Sequence, residues 1–184
     1  EYNYRIGGEI VTDPYAKKLS GTRQFDQWED AEDGGVRGAL YLDDYDWEED
    51  ARPSVPMHRT VAYSLHVRGF TKHASSRVRH RGTFAGLTEK IPYLTELGIN
   101  QIQCMPVYEF EPSPKYLNYW GYGPGYYFAP RASYAAGDPV TELKDMVKAC
   151  HRAGIEVVLE MPFEGDTPRI LMESCLRHYM TEYH

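Results

Sequence analysis

The sequence predicts an α/β fold made of parallel strand–helix units. Two apolar runs, residues 99–107 and 155–161, have the length and composition of buried strands. Each run follows an amphipathic helical stretch and begins with a Gly-Ile pair, at Gly98-Ile99 and at Gly154-Ile155. Helices that alternate with buried strands are typical of a parallel sheet covered by crossover helices.

Composition limits the classes of partner. The chain has 184 residues, within the size range of one domain, and a net charge of −7, which argues against nucleic acid as a partner. No apolar run reaches the roughly 20 residues of a membrane span. The three cysteines lie in apolar, regular segments without metal-ligand spacing. We therefore expect buried thiols in a reducing, cytoplasmic compartment, with no metal and no cofactor.

Residues 1–56 have weak periodicity and are predicted to form an irregular entry segment, mostly coil with short strands. Turn signals lie at Asp13-Pro14 and Asp33-Gly34-Gly35. Residues 26–50 are dense in acids but lack the ligand spacing, central Gly and closing Glu of a calcium loop. We interpret them as a solvated loop. The chain begins at Glu1 without a Met or a signal peptide, so we expect it to be part of a longer protein.

Residues 60–70 alternate apolar and polar side chains and are predicted to form the first strand of the sheet. His66 then lies near the strand's C-terminal end, either facing a ligand or hydrogen-bonded within the structure. Residues 86–97 are predicted to form a helix that Pro92 bends or shortens, with Gly98 as its C-cap.

Two further helices are predicted after the second strand. Asp138-Pro139 places an N-cap acid before a proline at the first helical position, and the apolar spacing continues to about Ala153. The last helix is predicted over Arg169–Glu182. Three strand–helix units of this kind fit either an open doubly wound sheet or the beginning of a (β/α) barrel.

The segment after the second strand is rich in aromatic residues: Tyr108, Phe110, Tyr116, Tyr119, Trp120, Tyr122, Tyr126, Tyr127 and Phe128. Flat rings cover the apolar faces of a pyranose, and their O–H and N–H groups meet its hydroxyls. Ligands of both candidate architectures gather at the C-terminal ends of the strands. The segment therefore indicates a carbohydrate site, although the same rings would also suit a loop packed on its own aromatics.

Four stretches carry a resemblance to a known family: residues 61–72 (VAYSLHVRGFTK), 82–107, 118–124 (NYWGYGP) with 127–130, and 146–159. They resemble the α-amylase superfamily of glycoside hydrolases, in its debranching branch of isoamylases, pullulanases and bacterial glycogen debranching enzymes. The resemblance implies a (β/α)8 TIM barrel whose first three β/α units are residues 57–184. It also implies that residues 1–56 are the linker after an N-terminal β-sandwich, since residues 13–18 (DPYAKK) resemble that linker.

The resemblance implies a substrate wall without catalytic residues of its own. Tyr122 matches the family tyrosine that stacks on the sugar whose bond is cut, and three neighbours would shape the same wall. Glu160 matches an Asp at the end of the third strand, and we assign it a supporting role. The implied substrate-binding residues are Tyr122, Trp120, Tyr119, Asn118 and Glu160.

The sequence departs from the family at the end of the third strand. The family carries Asp, two apolar residues, an aromatic residue and Asn-His, whereas residues 160–165 here read EMPFEG. Glu164 replaces the Asn, which often helps to hold a structural calcium, and Gly165 replaces the sugar-binding His. Retaining hydrolysis needs two carboxyl groups about 5 Å apart, and the resemblance places them beyond His184. Glu109, after the second strand, is interpreted as ion-paired or solvated.

Three functional hypotheses follow. In the first, the chain is part of a retaining α-glucan hydrolase that cuts the α-1,6 branch linkages of glycogen-like or starch-like polysaccharide. This hypothesis predicts that the chain alone is inactive. The second is a non-catalytic glucan-binding or degenerate amylase-like module, suggested by Glu164 and Gly165. The third is an interaction role, because an incomplete barrel exposes apolar strand edges that favour self-association.

Overall fold

The computed structural model describes residues 1–22, 24–28 and 35–184. The predicted turn at Asp33-Gly34 and part of the acidic stretch lie outside these residues. The strands are β1 (Tyr4–Ile6), β2 (Glu9–Val11), β3 (Leu19–Ser20), β4 (Arg37–Gly38), β5 (Ala62–Leu65), β6 (Gln101–Cys104), β7 (Tyr108–Phe110), β8 (Gly125–Pro130) and β9 (Glu156–Leu159). The helices are α1 (Val67–Lys72), α2 (Phe84–Thr88), α3 (Ile91–Glu96), α4 (Pro139–Arg152) and α5 (Arg169–Glu182), with 3-10 turns at Met57–Arg59, Ala74–Ser76 and Ala132–Tyr134.

A parallel sheet of order β5-β6-β9 forms the centre of the molecule. Ile102 of β6 pairs with Tyr63 on one side and with Val157 on the other. Helices separate these strands along the chain and supply the crossover that a parallel pairing requires. The predicted α/β class is confirmed. Among the described residues, two pairs of short strands, β1-β2 and β3-β4, lie in the N-terminal segment, and β7 pairs with β8 after the second strand of the parallel sheet.

The two faces of this sheet differ in chemistry. Ile102 and Cys104 are fully buried in the core that also contains Leu143 of α4. Because side chains alternate along a strand, Gln101 and Gln103 lie on the opposite, half-buried face. There the Gln101 side-chain amide donates to Glu156 Oε2 at 3.0 Å. One face is therefore an apolar core, and the other is a row of hydrogen-bonded polar groups.

Part of the N-terminal segment, residues 41–47, packs against α4 around a buried lysine. Lys144 Nζ donates to both carboxylate oxygens of Asp43, at 2.8 and 2.7 Å, and its side chain is 1% exposed. Aromatic rings surround the ammonium group at 5.4–5.8 Å: Tyr41, Tyr45, Trp47 and Tyr183. These contacts offset the cost of burying a charge, and they fix this part of the linker against the helix.

The prediction of one strand over residues 60–70 is wrong beyond Leu65. His66 ends the strand because its Nδ1 accepts the N–H of Gly69 at 2.9 Å and caps α1. A side chain that satisfies a free N–H at a helix start competes with strand continuation. The alternating apolar pattern there is produced by residues at a strand end and in a helix.

The prediction of one helix over residues 86–97 is also wrong, since two short helices, α2 and α3, occupy this region. Pro92 lies in the first turn of α3, where its missing N–H leaves no hydrogen bond unmade. Gly98 has φ +81°, as expected for a left-handed C-cap.

The two later helices agree with their predictions. Asp138 accepts the N–H of Thr141 at 3.0 Å as the N-cap of α4, and α5 has the predicted bounds. The cysteines are buried free thiols, as predicted. Burial raises the pKa of Cys150 and Cys175 to about 12, so both thiols stay protonated. Among the described residues, no helix is both long and apolar enough to cross a membrane.

An antiparallel hairpin of β7 and β8, which sequence reasoning treated as loop, holds a buried ion pair. Glu109 and Arg131 have side chains 1% exposed, with Arg131 Nη1 3.0 Å from Glu109 Oε1. Arg131 also donates to the Phe110 carbonyl at 2.8 Å, and the Ala132 N–H donates to Glu109 Oε2 at 2.9 Å. Burial raises the pKa of Glu109, and the Arg131 charge opposes that shift. The interpretation of Glu109 as ion-paired is confirmed.

Removing one member of this pair should destabilise the fold strongly. Arg131→Met leaves the Glu109 carboxylate buried without its partner, so we expect a loss of about 3–5 kcal/mol in unfolding free energy, measured by urea denaturation. The double variant Glu109→Leu/Arg131→Met should lose less, because no unpaired charge remains. Arg169→Met removes the exposed pair with Glu173 and serves as the control, with nearly unchanged stability. If Arg131→Met and Arg169→Met lost equal amounts of unfolding free energy, this prediction would be contradicted.

His178 should make stability depend on pH. Burial among aromatic rings lowers the pKa of His178 from 6.5 to about 4. The unfolded chain therefore binds a proton at this site below about pH 6.5, whereas the folded chain does so only below about pH 4. This contribution to stability, up to about 3 kcal/mol, is lost as pH falls through that window.

The variant His178→Phe isolates this contribution. Urea denaturation of the wild type and the variant between pH 7 and pH 4 should show a stability difference that moves in favour of the variant as the pH falls. A difference that stays constant across this window would contradict the assignment to His178.

Candidate functional site

The predicted aromatic loop, residues 111–124, joins β7 to β8 and lies at the C-terminal ends of the parallel strands. Its position follows from two contacts. His66, which directly follows β5, donates from Nε2 to the Tyr119 carbonyl at 2.7 Å. Glu160, which directly follows β9, accepts the Tyr122 hydroxyl at 2.6 Å. The loop therefore spans the edge of the sheet at which parallel α/β folds bind ligands.

Tyr122 and Glu160 lie together, and Gln103 of β6 completes the cluster. Glu160 Oε2 accepts the Tyr122 hydroxyl, and Glu160 Oε1 accepts the Gln103 amide at 2.9 Å. The hydrogen bond to Glu160 raises the pKa of Tyr122. The Tyr122 side chain remains 48% exposed, so its ring is available to a ligand while its hydroxyl is held.

Trp120 presents the second accessible ring, with 53% exposure. It meets the Tyr119 ring edge-on, with centroids 5.1 Å apart, and the His66 ring edge-on at 6.0 Å. These contacts hold one edge of the indole and leave much of it open. Among the implied substrate-binding residues, Trp120 and Tyr122 are therefore the ones whose rings a sugar can reach, and Tyr116 of the same loop is exposed as well.

Tyr119 is packed into the loop's base. Its ring stacks on the His66 imidazole, with centroids 4.5 Å apart and planes 11° from parallel, and it meets Phe25 edge-on. His66 is 6% exposed, and burial lowers its pKa, so the imidazole is neutral. Of the two interpretations of His66, the hydrogen-bonded structural role fits these contacts.

Asn118 holds the shape of the loop. Its side chain is buried, donates to the Glu111 carbonyl at 3.1 Å and accepts the Gly121 N–H at 3.2 Å. Gly121 has φ +84°, and a Cβ there would lie 2.4 Å from the Phe110 ring, so only glycine fits. The polar groups of Asn118 are thus engaged within the loop.

Sequence reasoning missed two residues of this arrangement. Gln103 was hidden in an apolar run, although the alternation in Gln101-Ile102-Gln103-Cys104 signalled a polar face. Tyr108 was counted as one of many aromatics. Its hydroxyl donates to the Gly123 carbonyl at 2.8 Å and ties the far end of the loop to β7.

Of the residues that depart from the family pattern after β9, Glu160 belongs to the cluster, whereas two others face solvent. Glu164 and Gly165 are exposed, and a Cβ on Gly165 would meet nothing within 4 Å. Within residues 1–22, 24–28 and 35–184, no group of three or more His, Cys, Asp or Glu side chains is arranged to hold a metal ion. The arrangement offers ring faces and a doubly hydrogen-bonded carboxylate, which suits ligand binding better than proton transfer.

Comparison with known proteins gives the family of the chain. Residues 27–164 match the model of the alpha amylase catalytic domain. Isoamylase 3 of Oryza sativa subsp. japonica is 37% identical over 88% of this chain and 25% of its own length. The glycogen debranching enzyme of Erwinia tasmaniensis is 35% identical over 88% of this chain and 30% of its own length. The chain therefore spans between 23% and 30% of the curated relatives it matches.

Solved structures agree in fold. A pullulanase from Paenibacillus barengoltzii, in complex with maltohexaose and alpha-cyclodextrin, superposes with a TM-score of 0.75 at 24% identity, covering 95% of this chain and 36% of the pullulanase. The GBS pullulanase SAP, in complex with maltotetraose, gives a TM-score of 0.67 at 28% identity over 82% of this chain and 22% of its own. The chain belongs to the alpha-amylase family, and residues 27–164 are part of that family's catalytic domain.

Proposed function

We propose that this chain is part of an α-glucan debranching glycoside hydrolase that cleaves the α-1,6 branch linkages of glycogen-like or starch-like polysaccharide with retention. The observation that carries the proposal is the pair of exposed rings, Trp120 and Tyr122, at the strand ends of an alpha-amylase-family domain. Relatives named isoamylase, glycogen debranching enzyme and pullulanase support the substrate class.

In this proposal residues 57–184 form the first three β/α units of a (β/α)8 TIM barrel, and residues 1–56 are the linker after an N-terminal β-sandwich. The parallel order β5-β6-β9, with one polar face, supports a sheet that curves around an interior. A complete barrel of this kind needs about 250 residues. The remaining strands would belong to the rest of the full-length protein.

The site residues have different roles in this proposal. Tyr122 and Trp120 stack on glucose rings. Both rings are exposed, only Gly121 separates the two residues, and both lie at the same edge of the sheet. Tyr119 and Asn118 keep the loop in shape beneath them. Glu160, directly after β9, belongs to the same wall and lies beside Tyr122.

The catalytic acids are proposed to come from the rest of the full-length protein. A retaining glycosidase needs two carboxyl groups about 5 Å apart, one as nucleophile and one as acid/base. Glu109 is buried in its ion pair, and both oxygens of Glu160 accept hydrogen bonds. These two acids are thus committed to structure, and no cofactor is required by the proposed chemistry.

A second candidate function is a non-catalytic glucan-binding or degenerate module. It is favoured by Glu164 and Gly165, which stand where the resembled family carries Asn and His. In either case the partner is an α-glucan polysaccharide or oligosaccharide, and neither nucleic acid nor a membrane is involved. The buried thiols fit a cytoplasmic, reducing compartment.

We also propose that the isolated chain self-associates through its sheet edges. β5 and β9 each have one edge without a strand partner among the described residues. Val61 and Val158, at or beside these edges, are 49% and 40% exposed. Open backbone groups next to exposed apolar side chains favour pairing with another copy.

Binding of maltohexaose tests the substrate class. We expect Trp120→Ala and Tyr122→Ala each to weaken binding about tenfold, because each removes a stacking face. Calorimetry measures the affinity, and a tryptophan fluorescence change that is lost in Trp120→Ala reports contact with Trp120. Tyr93→Ala is the matched control, since Tyr93 is 47% exposed on α3 and lies outside the loop. If maltohexaose changes neither the tryptophan fluorescence of the wild type nor the heat measured by calorimetry, an interaction role for the loop is favoured instead.

Turnover tests the assignment of the catalytic acids. We expect the 184-residue chain to release no reducing sugar from pullulan or glycogen, whereas the full-length protein does. Turnover by the 184-residue chain would show that its own carboxylates are catalytic. Glucan binding without turnover by the full-length protein would select the non-catalytic module.

A further inference from the structure

We propose that Glu160 is a positioning residue: its carboxylate, held from below by Gln103, fixes the ring of Tyr122 in the orientation that stacks on a sugar. The inference rests on the proposed function, because a stacking role for Tyr122 belongs to that function. It goes further by assigning Glu160 an action through Tyr122 instead of through contact with the sugar.

The first step of the argument is that both carboxylate oxygens are occupied. Oε1 accepts the Gln103 amide at 2.9 Å, and Oε2 accepts the Tyr122 hydroxyl at 2.6 Å. Two hydrogen bonds to different oxygens fix the plane of the carboxylate. Gln103 lies within β6 and Glu160 follows β9, and these neighbouring strands are paired along their length. The acceptor for Tyr122 is therefore held by a rigid sheet.

The second step is that Tyr122 needs such an acceptor. Its backbone stands between Gly121 and Gly123, which have φ +84° and +147°. Glycines on both sides give this part of the loop more conformational freedom than other residues would. The side chain is 48% exposed, so packing alone does not fix its rotamer. A short hydrogen bond to a charged acceptor supplies the missing restraint.

The third step compares the Gln103–Glu160 pair with a similar pair at the other end of the same strands. Gln101 and Glu156 repeat the Gln–Glu hydrogen bond at 3.0 Å on the same pair of strands. There the second carboxylate oxygen accepts the Val55 N–H at 2.9 Å and holds the linker. A Gln–Glu pair thus holds the Tyr122 ring at the C-terminal end of the strands and the Val55 backbone at the other end.

The first experiment observes Tyr122 without sugar, in the 184-residue chain labelled with ¹³Cζ-tyrosine. Tyr122→Phe identifies the Tyr122 resonance. We expect Glu160→Gln to shift this resonance and to move the phenol pKa down toward its ordinary value, because the hydrogen bond to the carboxylate raises it. Glu156→Gln is the matched control and should leave the resonance in place. A Tyr122 resonance that Glu160→Gln does not move would overturn the proposal.

The second experiment is a double-mutant cycle on maltohexaose affinity, measured by calorimetry. Glu160→Gln should weaken binding by about three- to tenfold in the wild-type background. In the Tyr122→Phe background it should have no effect, because the hydroxyl through which Glu160 acts is gone. Equal weakening in both backgrounds would mean that Glu160 contacts the sugar itself, and the proposal would be wrong. Unchanged thermal unfolding of Glu160→Gln excludes a general loss of structure.

The two experiments also separate this inference from the proposed function. A wild-type chain that binds no maltohexaose would count against the function, while the resonance of Tyr122 would still decide whether Glu160 holds the phenol. If the wild-type chain binds maltohexaose but Glu160→Gln leaves the Tyr122 resonance unmoved, the proposed function stands and the positioning role is wrong.

Discussion

The buried ion pair between Glu109 and Arg131 is the interaction on which the candidate site depends. It joins β7 to the end of β8, and these strands carry the two ends of the aromatic loop. Arg131 also lies over the Phe110 ring at 3.5 Å, so the charge is stabilised by both a carboxylate and a π face. Two charges withdrawn from water are tolerated only when partners such as these offset the cost of burial. Their geometry thereby fixes where the loop begins and where it returns.

The loop is then attached at points that leave its ring faces free. The Tyr119 carbonyl is bonded by His66, the Gly123 carbonyl by Tyr108, and the Tyr122 hydroxyl by Glu160. None of these bonds uses a ring face of Trp120 or Tyr122. A platform whose backbone is already ordered loses less conformational entropy when a ligand binds. The fold thus supports recognition by ordering the loop in advance.

The fold class and α4 could be predicted because their signals are local: buried-type apolar runs, the Asp138-Pro139 start and the Gly154-Ile155 end. The resemblance supplied the position of Tyr122. The prediction of a strand over residues 60–70 failed beyond Leu65. The alternating pattern there looks regular, but the hydrogen bond from the Gly69 N–H to His66 starts a helix instead. The Gln103–Glu160 and Tyr122–Glu160 bonds join residues 57 and 38 positions apart, and no local pattern encodes such pairings.

The enclosure of Lys144 has a consequence for the order in which the chain acquires its structure. The linker residues that surround this ammonium group, Asp43 among them, precede it by about a hundred positions, and Tyr183, directly after α5, closes the same enclosure. During synthesis from the N-terminus, residues 41–50 leave the ribosome long before α4 and α5 exist to receive them. The contacts of these linker residues with Lys144 and Tyr183 can thus form only after α4 and α5 have been synthesised, well after the linker residues themselves.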